Sequence, residues 1–147
     1  MCPIIMPMVT QASHDESGQA FKPAHGPVSK WGDKVMGGSY HHYCSEQSWS
    51  PAMNVYESPR RYTLVVDLAG LHGEGIELEA EDGVLRLSGT RDMPGPQEDA
   101  DSVKIRLMEI DHGWFCRAIE LPDDADDSNI NATYRGGFLW VVIPRKS

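Results

Sequence analysis

The feature that most restricts the fold of this chain is a pair of two-residue turns, each set between alternating runs. Ile76, Leu78 and Ala80 alternate with Glu77, Glu79 and Glu81; Asp82-Gly83 follows, and a second apolar run returns from Val84 to Ser88. An Asp-Gly pair between two such runs is a strong hairpin signal, because the favoured turn places both central residues at positive φ. The arrangement recurs near the end, where Ile130 to Tyr134 and Phe138 to Ile143 flank Gly136-Gly137. A period of two points side chains to alternate faces, so each hairpin has one face to bury. Four further runs carry strand signals. Tyr62 to Leu68 and Val103 to Ile110 alternate, Trp114 to Leu121 stops at Pro122, and residues 49–57 form a weaker run in which Pro51 hints at a sheet edge. Eight short strands, frequent turn signals and no helical period predict an all-β fold, an antiparallel immunoglobulin-like β-sandwich.

The pattern starts only near Trp49. Residues 1–48 hold four prolines and five glycines among many Ser, His and Gln, and show no sustained period. Such a segment buries too little apolar surface to offset its ordering entropy, so it reads as a flexible N-terminal arm with scattered anchors such as Ile4, Met6 and Met8. The organisation expected is therefore an arm over 1–48, a domain over 49–144 and a short tail over 145–147.

Charge is unevenly shared. The arm carries three Lys and four acids, whereas the remainder carries ten Lys or Arg and eighteen acids, for a chain total of −9. An acidic body offers no cationic surface for phosphate, which excludes nucleic acid as an expected partner. No apolar run approaches the length of a membrane span, and the first residues lack the basic leader of a signal peptide. Cys2, Cys44 and Cys116 are odd in number and widely spaced. They do not form a disulfide framework, and a reducing, cytoplasmic location is the simple reading.

Signatures of catalysis are missing from the sequence. It lacks a Gly-x-Ser-x-Gly elbow, a His-Glu-x-x-His pair and a phosphate-cradling glycine loop, so neither an enzyme nor a nucleotide user is expected. His41, His42 and Cys44 cluster, but without a second ligand pair at zinc spacing, so no metal or cofactor is expected. His112 reads as a turn residue, and Cys116 as a strand residue on the face opposite Phe115.

Three stretches together carry a narrower resemblance. Val66-Asp67-Leu68-Ala69-Gly70, Gly83 to Arg91, and Glu109-Ile110-x-His112-Gly113-x-Phe115-x-Arg117 are followed by Leu121-Pro122, Ala132, Gly137, Leu139 and Ile143-Pro144. Their order and spacing resemble the α-crystallin domain of the small heat-shock proteins. That resemblance implies an ATP-independent chaperone that holds unfolded or misfolded client proteins and prevents their aggregation under stress. It implies a homodimer made by strand exchange, in which Val103, Ile105 and Leu107 leave their own domain to pair with the first strand of a second subunit, near Trp49 and Arg117. Larger homo-oligomers are possible. The family usually adds a C-terminal Ile-x-Ile segment, which this sequence does not show. The groove that would receive such a segment lies between the strands at Leu78 and Ala80 and at Ile130 and Ala132. The run Pro3 to Met8, with Ile4, Met6 and Met8 at two-residue spacing, is a candidate substitute.

Several residues admit two readings. Arg117 shares parity with Phe115, Ile119 and Leu121, so either the register slips and frees it to solvent, or it is a partly buried guanidinium paired with a carboxylate. The last strand is apolar on both faces. Phe138, Trp140 and Val142 are either covered by another part of the chain or form an exposed patch for client contact. A CS-domain-like co-chaperone, a β-sandwich interaction module and a small hydrolase are the alternatives to the chaperone reading.

Overall fold

The computed structural model describes residues 49–147, and the expected arm, including Ile4, Met6, Met8, His41, His42 and Cys44, lies outside the described residues. Among the described residues, seven strands form two antiparallel sheets. They are β1 (Met53–Glu57), β2 (Arg61–Asp67), β3 (Ile76–Glu81), β4 (Val84–Arg91), β5 (Gly113–Glu120), β6 (Asn131–Arg135) and β7 (Phe138–Pro144). One sheet runs β1-β2-β7-β6 and the other β3-β4-β5. Among the described residues the only helical pieces are three short 3-10 turns.

Both hairpins form as their turn residues require. Asp82 and Gly83 have φ of 51° and 74°, and Gly136 and Gly137 have φ of 57° and 83°. These values match the right-handed twist of the strands they join. The register follows, with Leu78 opposite Leu87 and Glu81 opposite Val84 in one hairpin, and Ala132 opposite Val141 in the other.

The core is the set of inward positions on both sheets. Leu64, Val66, Leu85, Leu87, Phe115, Ile119, Leu139, Val141 and Ile143 are buried there, with Ile130 and Leu68 closing the ends. Each such side chain contributes about 2 kcal/mol of transfer free energy. Gly89 lies inside β4 opposite Phe115. A Cβ there would sit 2.5 Å from the Gly75 carbonyl oxygen and 2.8 Å from Phe115 Cζ, so the missing side chain is what admits the ring.

Three expectations need correction. Residues 103–110 form no strand in the single chain. Their alternation is real, but β4 and β5 pair directly with each other up to Arg91 and Gly113, and within the single chain this segment pairs with neither open edge beside it. An alternating run becomes a strand only when its backbone groups find a second strand. The first strand begins at Met53 rather than 49. Pro51 is fully buried, and residue 49 contributes an isolated bridge to Phe115 instead. Cys116 is disulfide-bonded, which departs from the expectation of unpaired thiols.

Candidate functional site

The two sheets leave a pair of open edges on each side of the sandwich. On one side lie β1 and β5, on the other β3 and β6. The segment between Arg91 and Gly113 leaves the three-stranded sheet beside the first pair. Along it Ile105 is 65% exposed, Leu107 77% and Ile110 61%, and Met93 and Met108 are also exposed. Three large aliphatic side chains at that level of exposure form an apolar stretch that nothing in the described part of the chain covers. Val103 is half-buried.

The base of this segment is tightly built. Trp49 is 8% exposed and its ring meets Phe115 edge-on at 5.3 Å between centroids. Its indole Nε1 donates to the Gly113 carbonyl at 2.8 Å. The structure thus brings Trp49 into the core of its own chain, because a large ring with one donor is best satisfied where a carbonyl waits beside an apolar cavity.

Arg117 lies on the core-facing side of β5, as its parity with Phe115 and Ile119 requires, and is half-buried at the sandwich edge. Its Nη1 donates to the Pro51 carbonyl at 2.8 Å and to Ser50 Oγ at 3.2 Å. These two acceptors, a carbonyl and a hydroxyl, lie in the segment before β1. Spacing along a strand shows which way a cation points, but the chain segment it meets is set by how the sheets stack.

At the opposite edge, Leu78, Ile130 and Ala132 are buried in the sandwich and Ala80 packs partly against it. On the outer face of the larger sheet, Trp140 pairs across with Val65 and Thr133, and the Arg135 guanidinium lies 4.7 Å over its ring. Phe138 is 44% exposed beside it. One cluster carries no signal in the local sequence. Asp124 accepts from Tyr62 Oη at 2.7 Å and from Arg145 Nε at 2.6 Å, while Arg145 Nη1 reaches Glu57 at 3.3 Å. Burial, and then the bond to Asp124, push the Tyr62 phenol up to about 12. The Tyr62 hydroxyl, followed by Arg145, holds the Asp124 carboxyl below its ordinary range. Its members come from four separate segments, and no local spacing signals that.

No group of three metal-ligating side chains is gathered among the described residues, and no described helix is long and apolar enough to cross a membrane.

Comparison with known proteins agrees with this geometry. A small heat-shock protein from Xylella fastidiosa superposes with a TM-score of 0.61 at 29% identity, covering 68% of this chain and 89% of that one. Heat shock protein 16.0 from Schizosaccharomyces pombe gives a TM-score of 0.60 at 26% identity, covering 67% of this chain and 68% of the other. In sequence, the 18.8 kDa class II heat shock protein of Ipomoea nil is 31% identical over 133 residues, which are 90% of this chain and 72% of that protein. The 17.7 kDa class II heat shock protein of Arabidopsis thaliana is 37% identical over 93 residues, 63% of this chain and 58% of that protein. Against four such relatives the chain spans between 56% and 64% of their length. The Hsp20/alpha crystallin family matches residues 54–147, from β1 through the end of β7 and beyond, and with the two-sheet sandwich in place the chain belongs to that family.

Proposed function

We propose that this protein is an ATP-independent holdase, which binds non-native proteins through apolar surface and keeps them from aggregating under stress. The observation that carries the reading, beyond family membership, is the exposed run of Ile105, Leu107 and Ile110 on a segment with strand alternation and no strand partner. Such a run is an unfilled half of an interface. We assign it to a homodimer formed by strand exchange, with Val103, Ile105 and Leu107 laid along the open edge of β1 in a second copy, next to the Arg117 contact with Ser50 and Pro51. Main-chain pairing at an open edge supplies affinity, and alternate side chains supply register.

Client proteins expose apolar surface when they unfold. Covering it is favourable by roughly 25 cal/mol per Å², and a binding equilibrium of this kind needs neither nucleotide nor catalytic group. Phe138 and Trp140 on the outer sheet face are the client contacts we assign within the described residues. The edge between β3 and β6, at Leu78, Ala80, Ile130 and Ala132, is assigned to a short extended apolar segment, with Ile4, Met6 and Met8 of this or a neighbouring subunit as its occupant. Larger homo-oligomers would be built through that contact. The acidic body keeps the loaded complex soluble. We place this activity in the cytoplasm, where the thiol pool would open the Cys116 disulfide.

The test is suppression of heat- or reduction-induced aggregation of a model client by the purified protein without ATP. Suppression at a few-fold molar excess is expected. Its absence across several clients, or a strict need for ATP, would refute the assignment.

A further inference from the structure

We propose that Arg91 is the positioning residue of the exchanging arm, the one that fixes the base of residues 92–112 so that Val103 to Ile110 is presented to a second copy in a single register. The proposal rests on the strand-exchange reading above and adds a residue that reading does not contain.

Arg91 ends β4 and Gly113 begins β5, and the two are cross-strand partners, so the whole arm hangs from one residue pair. The guanidinium of Arg91 is spent on that junction. Its Nε donates to the Asp111 carbonyl at 2.8 Å and its Nη2 to the same oxygen at 2.5 Å. Asp111 lies one residue past the last apolar position of the arm, Ile110. Nη1 turns the other way and donates to the Ala69 carbonyl at 3.2 Å, in the loop that follows β2 of the opposite sheet. The same guanidinium lies 3.9 Å from the ring centroid of Trp49, whose indole holds the Gly113 carbonyl. Two consecutive stretches of the returning chain, at Asp111 and at Gly113, are thereby tied to both sheets through one cation and one indole.

The arrangement has a physical consequence for association. An arm that must be ordered when it docks loses that ordering free energy from the affinity. Fixing the residue next to Ile110 before docking lowers this loss and limits the directions in which the arm leaves. A lysine could keep the charge over Trp49, but it cannot place two donors on Asp111 and a third on Ala69, because those need the planar fork of arginine. Because Arg91 also touches Ala69 and the Trp49 ring, its effect on the arm has to be separated from an effect on the fold.

The test uses the full chain with Arg91→Met, which keeps the unbranched stem and removes every donor, and with Arg91→Lys. Self-association is measured by sedimentation over a dilution series. Thermal unfolding and hydrogen exchange over residues 104–112 are measured at concentrations where each protein is dissociated. Arg91→Met is expected to weaken association by about tenfold or more, the scale of a lost charged hydrogen bond, with Arg91→Lys between it and the parent. Exchange over 104–112 should quicken while the unfolding midpoint of the dissociated chain stays near the parent's. An unchanged association constant in Arg91→Met overturns the proposal. So does a fall in midpoint that accompanies the loss of association with Lys no better than Met, since that describes a fold contact. A parallel variant, Ile105→Asp with Leu107→Asp, separates the two levels. If it still associates like the parent, the strand-exchange reading falls and this proposal with it. If it dissociates while Arg91→Met does not, only the role of Arg91 is lost.

Discussion

Gly89 and Arg117 are the two residues whose neighbours explain most about the sandwich. Gly89 has no unusual backbone angle; it is glycine because the Gly75 carbonyl oxygen and the Phe115 ring together fill the space a methyl group would need. Gly89→Ala is therefore expected to overpack the core and destabilise the domain by about 2 kcal/mol. For a domain near this size that lowers the thermal midpoint by roughly 10 °C. A midpoint equal to the parent's would mean β4 shifts freely under the ring. Arg117 joins β5 to the segment before β1 through Pro51 and Ser50. Arg117→Ala removes hydrogen bonds from a charged donor and leaves the Pro51 carbonyl to find another partner, an expected loss of about 2 kcal/mol. A denaturation midpoint unmoved by the substitution would show that solvent replaces the guanidinium without penalty. The direction in which Arg117 points was legible from its parity with Phe115. The identity of what it meets was not, since Ser50 and Pro51 lie far away in sequence.

At the scale of elements, the loop after β5 and the end of β7 are fastened by one cluster. Asp124 is held by Tyr62 of β2 and by Arg145 just past β7, and the backbone adds bonds from Asp126 N–H to the Pro144 carbonyl and from Lys146 N–H to that of Asp124. The cluster makes stability pH-dependent at both extremes. The Asp124 carboxyl titrates lower in the folded chain than in the unfolded one, so its contribution is present above the ordinary carboxylate range and is lost as pH falls through the depressed value. The Tyr62 phenol is raised from 10.0 to about 12, so its contribution is present below pH 10 and lost as pH rises towards 12. Tyr62→Phe should flatten that alkaline decline and make the acid one shallower, as read from urea midpoints across the pH range. An alkaline limb as steep as the parent's would place the titrating group elsewhere. In the sequence, Asp123 to Ser128 was only an acidic loop and Arg145 only a tail residue, because neither carries a periodic signal.

For the whole molecule, residues 49–147 contain a complete two-sheet core, with Phe115, Leu64, Leu85, Leu139 and Ile143 fully buried. A chain shortened to begin at Trp49 should therefore unfold cooperatively and still self-associate, because β1 and the 92–112 arm are both retained. Its protection of clients should be weaker, since Ile4, Met6 and Met8 are gone. Circular dichroism, sizing and the aggregation assay on the same preparation check this. An unfolded or monomeric product would mean that the first 48 residues are part of the core or of the dimer.

The parts of the fold whose cause is local were readable from the residues alone. Both hairpins were legible, since Asp82-Gly83 and Gly136-Gly137 meet the positive φ those turns demand. The inward faces of β2, β3, β6 and β7 could be read as well, because a period of two leaves no choice of side once one face is buried. The all-β sandwich and the family resemblance followed from the order of those pieces. Three features depend on contacts between segments far apart in the chain. Trp49 is fixed in its own core by Gly113 and Phe115. The cluster of Glu57, Tyr62, Asp124 and Arg145 needs four segments to meet. Val103 to Ile110 has the alternation of a strand, yet stands outside both sheets, because β4 pairs directly with β5 and the segment between them reaches no edge of its own chain. Alternation along one chain describes a face to be buried; whether an edge is free to receive it depends on how all the other strands have paired.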